Sequence, residues 1–179
     1  SQLNIIEDHA FRKSGLTSII IPDSVTTIGN YAFRDCSALT SVTLPQNPQF
    51  TEIGWSTFNG CNLSSVTIPD SVTSLLEPWN TFAGNSNLTE IIIGSSNTAY
   101  ANYNGDGILY NKAITTLIRH PEGKSGTVHI PDSITTIGQQ AFEKCDHITS
   151  VTIPDSVTTI GDNAFRYAGH TSITIGSGV

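Results

Sequence analysis

The apolar positions of this chain recur about every 23 residues, and that period sets the fold expectation. The stretch Ile21-Pro22-Asp23-Ser24-Val25-Thr26-Thr27-Ile28-Gly29 returns at Ile130 to Gly138 and at Ile153 to Gly161, and Ile68 to Val72 keeps its first half. An Ala-Phe pair follows at Ala10-Phe11, Ala32-Phe33, Ala141-Phe142 and Ala164-Phe165, while Phe58 and Phe82 hold the same place after Thr. Next comes an apolar alternation: Leu39-Val42-Leu44, Leu63-Val66-Ile68, Leu88-Ile91-Ile93 and Ile148-Val151-Ile153. Pro131 to Pro154, Phe142 to Phe165 and Pro22 to Pro45 are each 23 residues apart; Pro45 to Pro69 is 24, which places a one-residue insertion near Gln49.

Each repeat reads as one coil of a solenoid. Val42 and Leu44 point inward and Ser41 and Thr43 outward, as period-2 alternation requires. Pro, or Pro-Asp-Ser, then turns the chain, because proline presets φ and Asp and Ser cap turns. Val25 to Ile28 forms a second short extended piece, and Gly29 to Cys36 is expected to make a short helical turn. A single coil cannot bury its own apolar edge, whereas stacked coils can. Phe11, Phe33, Phe58, Phe82, Phe142 and Phe165 are expected in one core ladder, and Ile28, Ile53, Ile137 and Ile160 in another. Each buried side chain contributes about 1.5–3 kcal/mol. With strands about 4.8 Å apart, seven coils span roughly 30–35 Å.

The pattern resembles the BspA-like leucine-rich repeats of bacterial and protozoan cell-surface proteins. The resemblance rests on Ile21 to Gly29, Ala32-Phe33, Cys36 and Leu39 to Leu44, and on an insert of Gly107 to Lys112 with Thr115 to Arg119. The expected fold is α/β: a right-handed leucine-rich-repeat horseshoe, β-dominated with short helical turns, of about seven coils of roughly 23 residues, forming one domain over residues 1–179. The resemblance implies cell-surface exposure and, often, adhesion to host or matrix proteins. It supplies no catalytic residues.

The repeat breaks between Ile93 and Ile130, so residues 94–129 are expected to form an irregular insert. Ile108-Leu109-Tyr110 and Thr116-Leu117-Ile118, flanking Asn111-Lys112, read as a hairpin. One reading makes it a protruding element with Tyr100, Tyr103 and Tyr110 exposed for contact. The other makes it a variant coil that widens the solenoid.

Two outward columns of strand residues mark the face expected to be concave. One is Ser18, Ser41, Ser65, Glu90, Thr127, Ser150 and Ser172; the other is Ile20, Thr43, Thr67, Ile92, His129, Thr152 and Thr174. Curved solenoids bind partners on this face, so Ile20, Thr43, Thr67, Glu90, Ile92, His129 and Thr152, with Tyr100 and Tyr103, are the candidate ligand-binding residues. The competing account is that Thr serves β propensity and cross-strand contacts. The interruptions and expected curvature argue against an ice-binding lattice.

Charge and composition narrow the partners. The net charge is -7 with only 8 Lys+Arg, which disfavours nucleic acid and anionic membranes. No apolar run is long enough to cross a bilayer, so no membrane insertion is expected of this segment. A charged fraction of 13% leaves a Thr/Ser/Asn surface of the kind common in secreted proteins. The chain contains no methionine and shows no polar end caps, so it reads as a piece of a longer array.

Candidate chemistry is sparse. Asp23, Asp70, Asp132 and Asp155 recur after proline; a calcium row is weighed against plain turn formation, which the break at Gln46 favours. Cys36, Cys61 and Cys145 share one repeat position as buried thiols, with a Cys36–Cys61 disulfide left open. The five histidines lack metal spacing, and no nucleophile or phosphate motif appears. No enzyme, metal or cofactor is therefore expected. Asn62-Leu63-Ser64 and Asn87-Leu88-Thr89 match the N-glycosylation sequon, relevant only in a eukaryotic secretory pathway. The expected function is an extracellular binding or adhesion module for a host or matrix protein, or a glycan; the alternative is a spacer that holds another domain away from the cell.

Overall fold

The computed structural model describes residues 2–177. Among the described residues sixteen short strands, β1 to β16 in chain order, wind into a β-solenoid of about seven turns. One strand column holds β2 (Ser18–Ile20), β4 (Ser41–Thr43), β6 (Ser65–Ile68), β8 (Glu90–Ile93), β12 (Gly126–His129), β14 (Ile148–Ile153) and β16 (Ser172–Ile175). A second holds β1 (Ile5–Ile6), β3 (Thr27–Ile28), β5 (Glu52–Ile53), β7 (Ser74–Leu75), β11 (Thr116–Arg119), β13 (Thr136–Ile137) and β15 (Thr159–Ile160). The insert adds β9 (Tyr100–Ala101) and β10 (Leu109–Asn111).

Pairing between coils is parallel, with Ser18 opposite Ser41, Thr67 opposite Ile92, and His129 opposite Thr152, which in turn faces Thr174. The Phe ladder forms in two runs. Phe11, Phe33, Phe58 and Phe82 stack with centroids 5.2, 5.5 and 6.0 Å apart, and His120, Phe142 and Phe165 stack at 5.1 and 4.8 Å. His120 takes the Phe place that the repeat leaves vacant. Leu75 opposite Ile53, and Leu117 opposite Ile137, extend the Ile ladder.

The expected helical turn does not form: among the described residues there is no helix, so the fold is β-solenoid rather than α/β. The backbone gives the reason. Tyr31 and Asp35, on either side of Phe33, have φ of 58° and 60°; Gln140 and Lys144 flank Phe142 in the same way at 54° and 58°. Left-handed residues two positions apart from the Phe prevent a helix from propagating. The N–H groups alternate instead. Those of Ala32, Arg34 and Cys36 close turns onto Gly29, Tyr31 and Phe33, while those of Tyr31, Phe33 and Asp35 bond Trp55, Thr57 and Asn59 of the next coil at 2.8, 3.0 and 2.8 Å. The turn edge is thereby a hydrogen-bonded ladder in its own right.

The insert is a three-stranded antiparallel meander, β9-β10-β11, which includes the expected hairpin. Two of its three tyrosines do not protrude. Tyr110 is fully buried and donates its hydroxyl to Asp106 at 2.8 Å. Tyr100 is buried and its hydroxyl accepts the Leu75 N–H at 2.9 Å. The extra residue near Gln49 is absorbed by Asn47, whose side-chain oxygen accepts the Gln49 and Phe50 N–H groups.

Candidate binding surface

Alternation along each strand carries one side chain into the core and turns the next outward. The outward column is therefore continuous wherever strands pair. Ile20, Thr43, Thr67, Ile92, His129, Thr152 and Thr174 are all exposed, and Ile20 and Ile92 keep 79% and 39% of their surfaces in water. Ile20 sits beside Thr43, Ile92 beside Thr67, and Glu90 lies in the neighbouring column opposite Ser65. His129 stands one strand from Thr152.

The structure does not bring all of these residues onto one unbroken sheet. Between β4 and β6 the ladder lapses although the strands stay side by side, and between β8 and β12 no strand pairing exists and residues 102–107 fill the gap. Asn102 acts there as a surrogate peptide: its oxygen accepts the Ile93 N–H at 3.1 Å and its amide donates to the Ile91 and Ile108 carbonyls at 2.8 and 2.7 Å. Gly107, with φ of 71°, lies so close to Glu90 that a Cβ would meet the Glu90 Cβ at 2.8 Å. Tyr103 projects from this segment and is 42% exposed, as expected. Tyr100 is removed from the candidate surface, because its ring is core and its hydroxyl is engaged by Leu75.

Other sequence candidates prove to be structural. Asp23, Asp70 and Asp155 accept the backbone N–H of Gln46, Ser96 and Ser177 in the adjoining coil at 2.8, 2.9 and 2.7 Å. Among the described residues no cluster of His, Cys, Asp and Glu is arranged to hold a metal ion. The three cysteines are free thiols, so the disulfide left open does not form. Cys36 and Cys61 donate to the carbonyls of Phe11 and Phe33 at 3.0 and 3.1 Å, and Asn85 bonds Phe58 from the same repeat position at 2.9 Å. Burial pushes the Cys61 and Cys145 thiols up to about 12. An open depression beside the strand column is lined by His129, Asp132, Thr152, Asp155, Ser156 and Thr174.

Two features escape the strand-face reading. Trp55 is exposed on the turn edge at the repeat position of Asp8 and Asn30, and its N–H continues their capping row by bonding the Asn30 side chain at 2.8 Å. Coil alignment through Tyr31, whose N–H bonds the Trp55 carbonyl, is the signal that locates it. The other is a buried charged group. Arg119 pairs with Glu122, donates to the Gln140 carbonyl at 2.6 Å, and is only 1% exposed. Burial raises the Glu122 pKa, with Arg119 and the Gly84 N–H pulling it back.

The BspA type leucine rich repeat region matches residues 4–125 and 122–179, in six copies. The chain belongs to this family of BspA-type leucine-rich repeats. No curated protein matches it. Among solved structures, the pneumococcal vaccine antigen PcpA is 28% identical with a TM-score of 0.89, over 100% of this chain and 44% of that one. A leucine-rich repeat protein from Eubacterium ventriosum is 27% identical with a TM-score of 0.76, over 96% of this chain and 53% of that one. A leucine rich cell surface protein from Faecalibacterium prausnitzii, 24% identical with a TM-score of 0.65 over 98% of this chain and 65% of that one, shares the fold. The BspA-type chain thus spans about half the length of its first two structural relatives. These comparisons indicate no enzyme family.

Proposed function

We propose that this BspA-type repeat segment is a non-catalytic protein-binding or adhesion module of a cell-surface protein, engaging an extracellular or host protein through its outward strand column. The observation that carries the reading is Ile20 and Ile92, two apolar side chains left in water on the strand face, where the repeat otherwise places Thr. His129 adds a third departure in the same column, and Tyr103 a rigid aromatic at the gap between β8 and β12. Surface location is supported by the cell-surface relative in Faecalibacterium. The regular Thr/Ser positions between these departures suit a spacer equally well, and the experiment separates the two.

The chain is presented to a panel of purified extracellular-matrix proteins, host cell-surface proteins and glycans, beside a variant carrying Ile20→Asp, Ile92→Asp and His129→Ala. Binding by the parent and at least tenfold weaker binding by the variant is expected. Capture of nothing leaves the spacer as the function, and equal capture by both chains overturns binding through the strand column.

A further inference from the structure

The insert divides the solenoid as well as interrupting its repeat. In ordinary coils a strand turns one face to the core and the other to solvent. Strand β10 is buried on both: Leu109 joins the N-terminal core with Tyr100, and Ile108 and Tyr110 join the C-terminal core. By its sheet the meander belongs to the C-terminal side, because β9, β10, β11, β13 and β15 are one five-stranded sheet. It walls off that half and docks against the other.

Coil-to-coil continuity fails at this wall. The Phe stack ends at Phe82 and resumes at His120. Strands β3 and β5, and β4 and β6, lack a regular ladder but still lie side by side, whereas β7 and β11, and β8 and β12, neither pair nor pack side by side. The replacements are mostly side chains: Glu122 for the Gly84 N–H at 2.8 Å, Tyr100 for the Leu75 N–H, and Asn102 for Ile91 and Ile93. Two backbone bonds remain, Ile91 N–H to Gly107 and Gly123 N–H to Leu88, each 2.8 Å. In a solenoid, cooperativity passes only through the interface between neighbouring coils. An interface made of a few side-chain bonds, two backbone bonds and the Tyr100, Leu109 and Ile118 side chains is the place where it is weakest.

We infer that the chain is two cooperative units, one up to about residue 97 and one from Tyr100 onward, meeting at a joint that lies between Ile92 and His129 on the strand face.

The two tryptophans, Trp55 and Trp79, both lie in the first unit, whereas backbone circular dichroism reports both units. Urea unfolding of the full chain is followed by both signals, with hydrogen exchange resolved by segment. Ile134→Val, in the second core, should lower protection in β12, β14 and β16 and leave the tryptophan midpoint unmoved. Ile53→Val, in the first core, should move the tryptophan midpoint and leave β12, β14 and β16 unmoved. Asn102→Ala removes the acceptor of the Ile93 N–H and should speed exchange at Ile93 at least tenfold with both midpoints retained. If either core variant shifts both units together, or if Asn102→Ala lowers both midpoints together or leaves Ile93 exchange unchanged, the two-unit joint is wrong.

Discussion

Gly84 donates its backbone N–H to the Glu122 carboxylate at 2.8 Å, where the equivalent Gly60 donates to the carbonyl of Ala83 at the same distance. A side chain thus stands in for a missing coil, and Arg119 neutralises the charge so introduced.

That arrangement predicts an asymmetry between single and double replacement. Glu122→Ala leaves a guanidinium that is 1% exposed without its counter-charge, a loss of about 3–5 kcal/mol. Replacing both partners with apolar residues, Arg119→Met with Glu122→Leu, removes the buried charge along with the pair and costs less than Glu122→Ala alone. Thermal denaturation of the three chains checks this; a double variant as unstable as the single one would contradict it.

The period is what made most of the fold legible. Spacings such as Phe142 to Phe165 fix the coil length, and alternation then dictates that Ile20, Ile92 and His129 face water. The Tyr100 side chain obeys a different rule, since its strand pairs antiparallel to β10 and the 23-residue register says nothing about that pairing. The absent helix was hidden for a similar reason: Tyr31, Asp35, Gln140 and Lys144 adopt left-handed backbone without the glycine that usually marks it. Arg119 and Glu122, beside His120, Pro121 and Gly123, look like an exposed turn in the sequence, yet both are buried between the coils of Gly84 and Gln140.

Asn97 shows how much a coil can depend on one amide. Fully buried, it donates to the Pro69 and Val72 carbonyls, both at 2.8 Å, and accepts the N–H groups of Ala99 and Tyr100, both at 2.9 Å. Asn97→Asp keeps the shape but turns the two donors into acceptors facing carbonyls. A loss of about 3 kcal/mol or more is expected from the unsatisfied groups. The same change at half-buried Asn47, which makes the corresponding bonds to Asp23 and Val25, should cost less. Comparing melting temperatures of the two variants tests the ranking.

The thiols provide a chemical check on burial. With Cys61 and Cys145 pushed up to about 12, roughly one part in ten thousand is thiolate at pH 8, against about a quarter for an ordinary cysteine. Neither should react with iodoacetamide at pH 8 in the folded chain, and both should label in urea. Mass spectrometry of labelled peptides separates the sites. Ready labelling of Cys61 or Cys145 without denaturant would show that its coil opens easily.

His120 links the substituted ladder position to pH. Its ring is 1% exposed and stacks on Phe142, and Nδ1 donates to the Pro121 carbonyl at 2.9 Å. Burial, with smaller contributions from Lys124 and Arg119, lowers its pKa to about 3. The folded chain therefore holds the neutral ring, while the unfolded chain protonates below the ordinary value of about 6.5. A depressed folded pKa gives stability that is complete above 6.5 and is lost as the pH falls toward 3. By pH 5 the loss from this one group is about 2 kcal/mol. His120→Phe restores the aromatic of the repeat and cannot be protonated, so its stability relative to the parent chain should improve by that amount between pH 8 and pH 5. Urea unfolding of both chains at the two pH values measures the gap, and a gap that stays constant would mean that His120 is protonated in the folded state or is not buried as described.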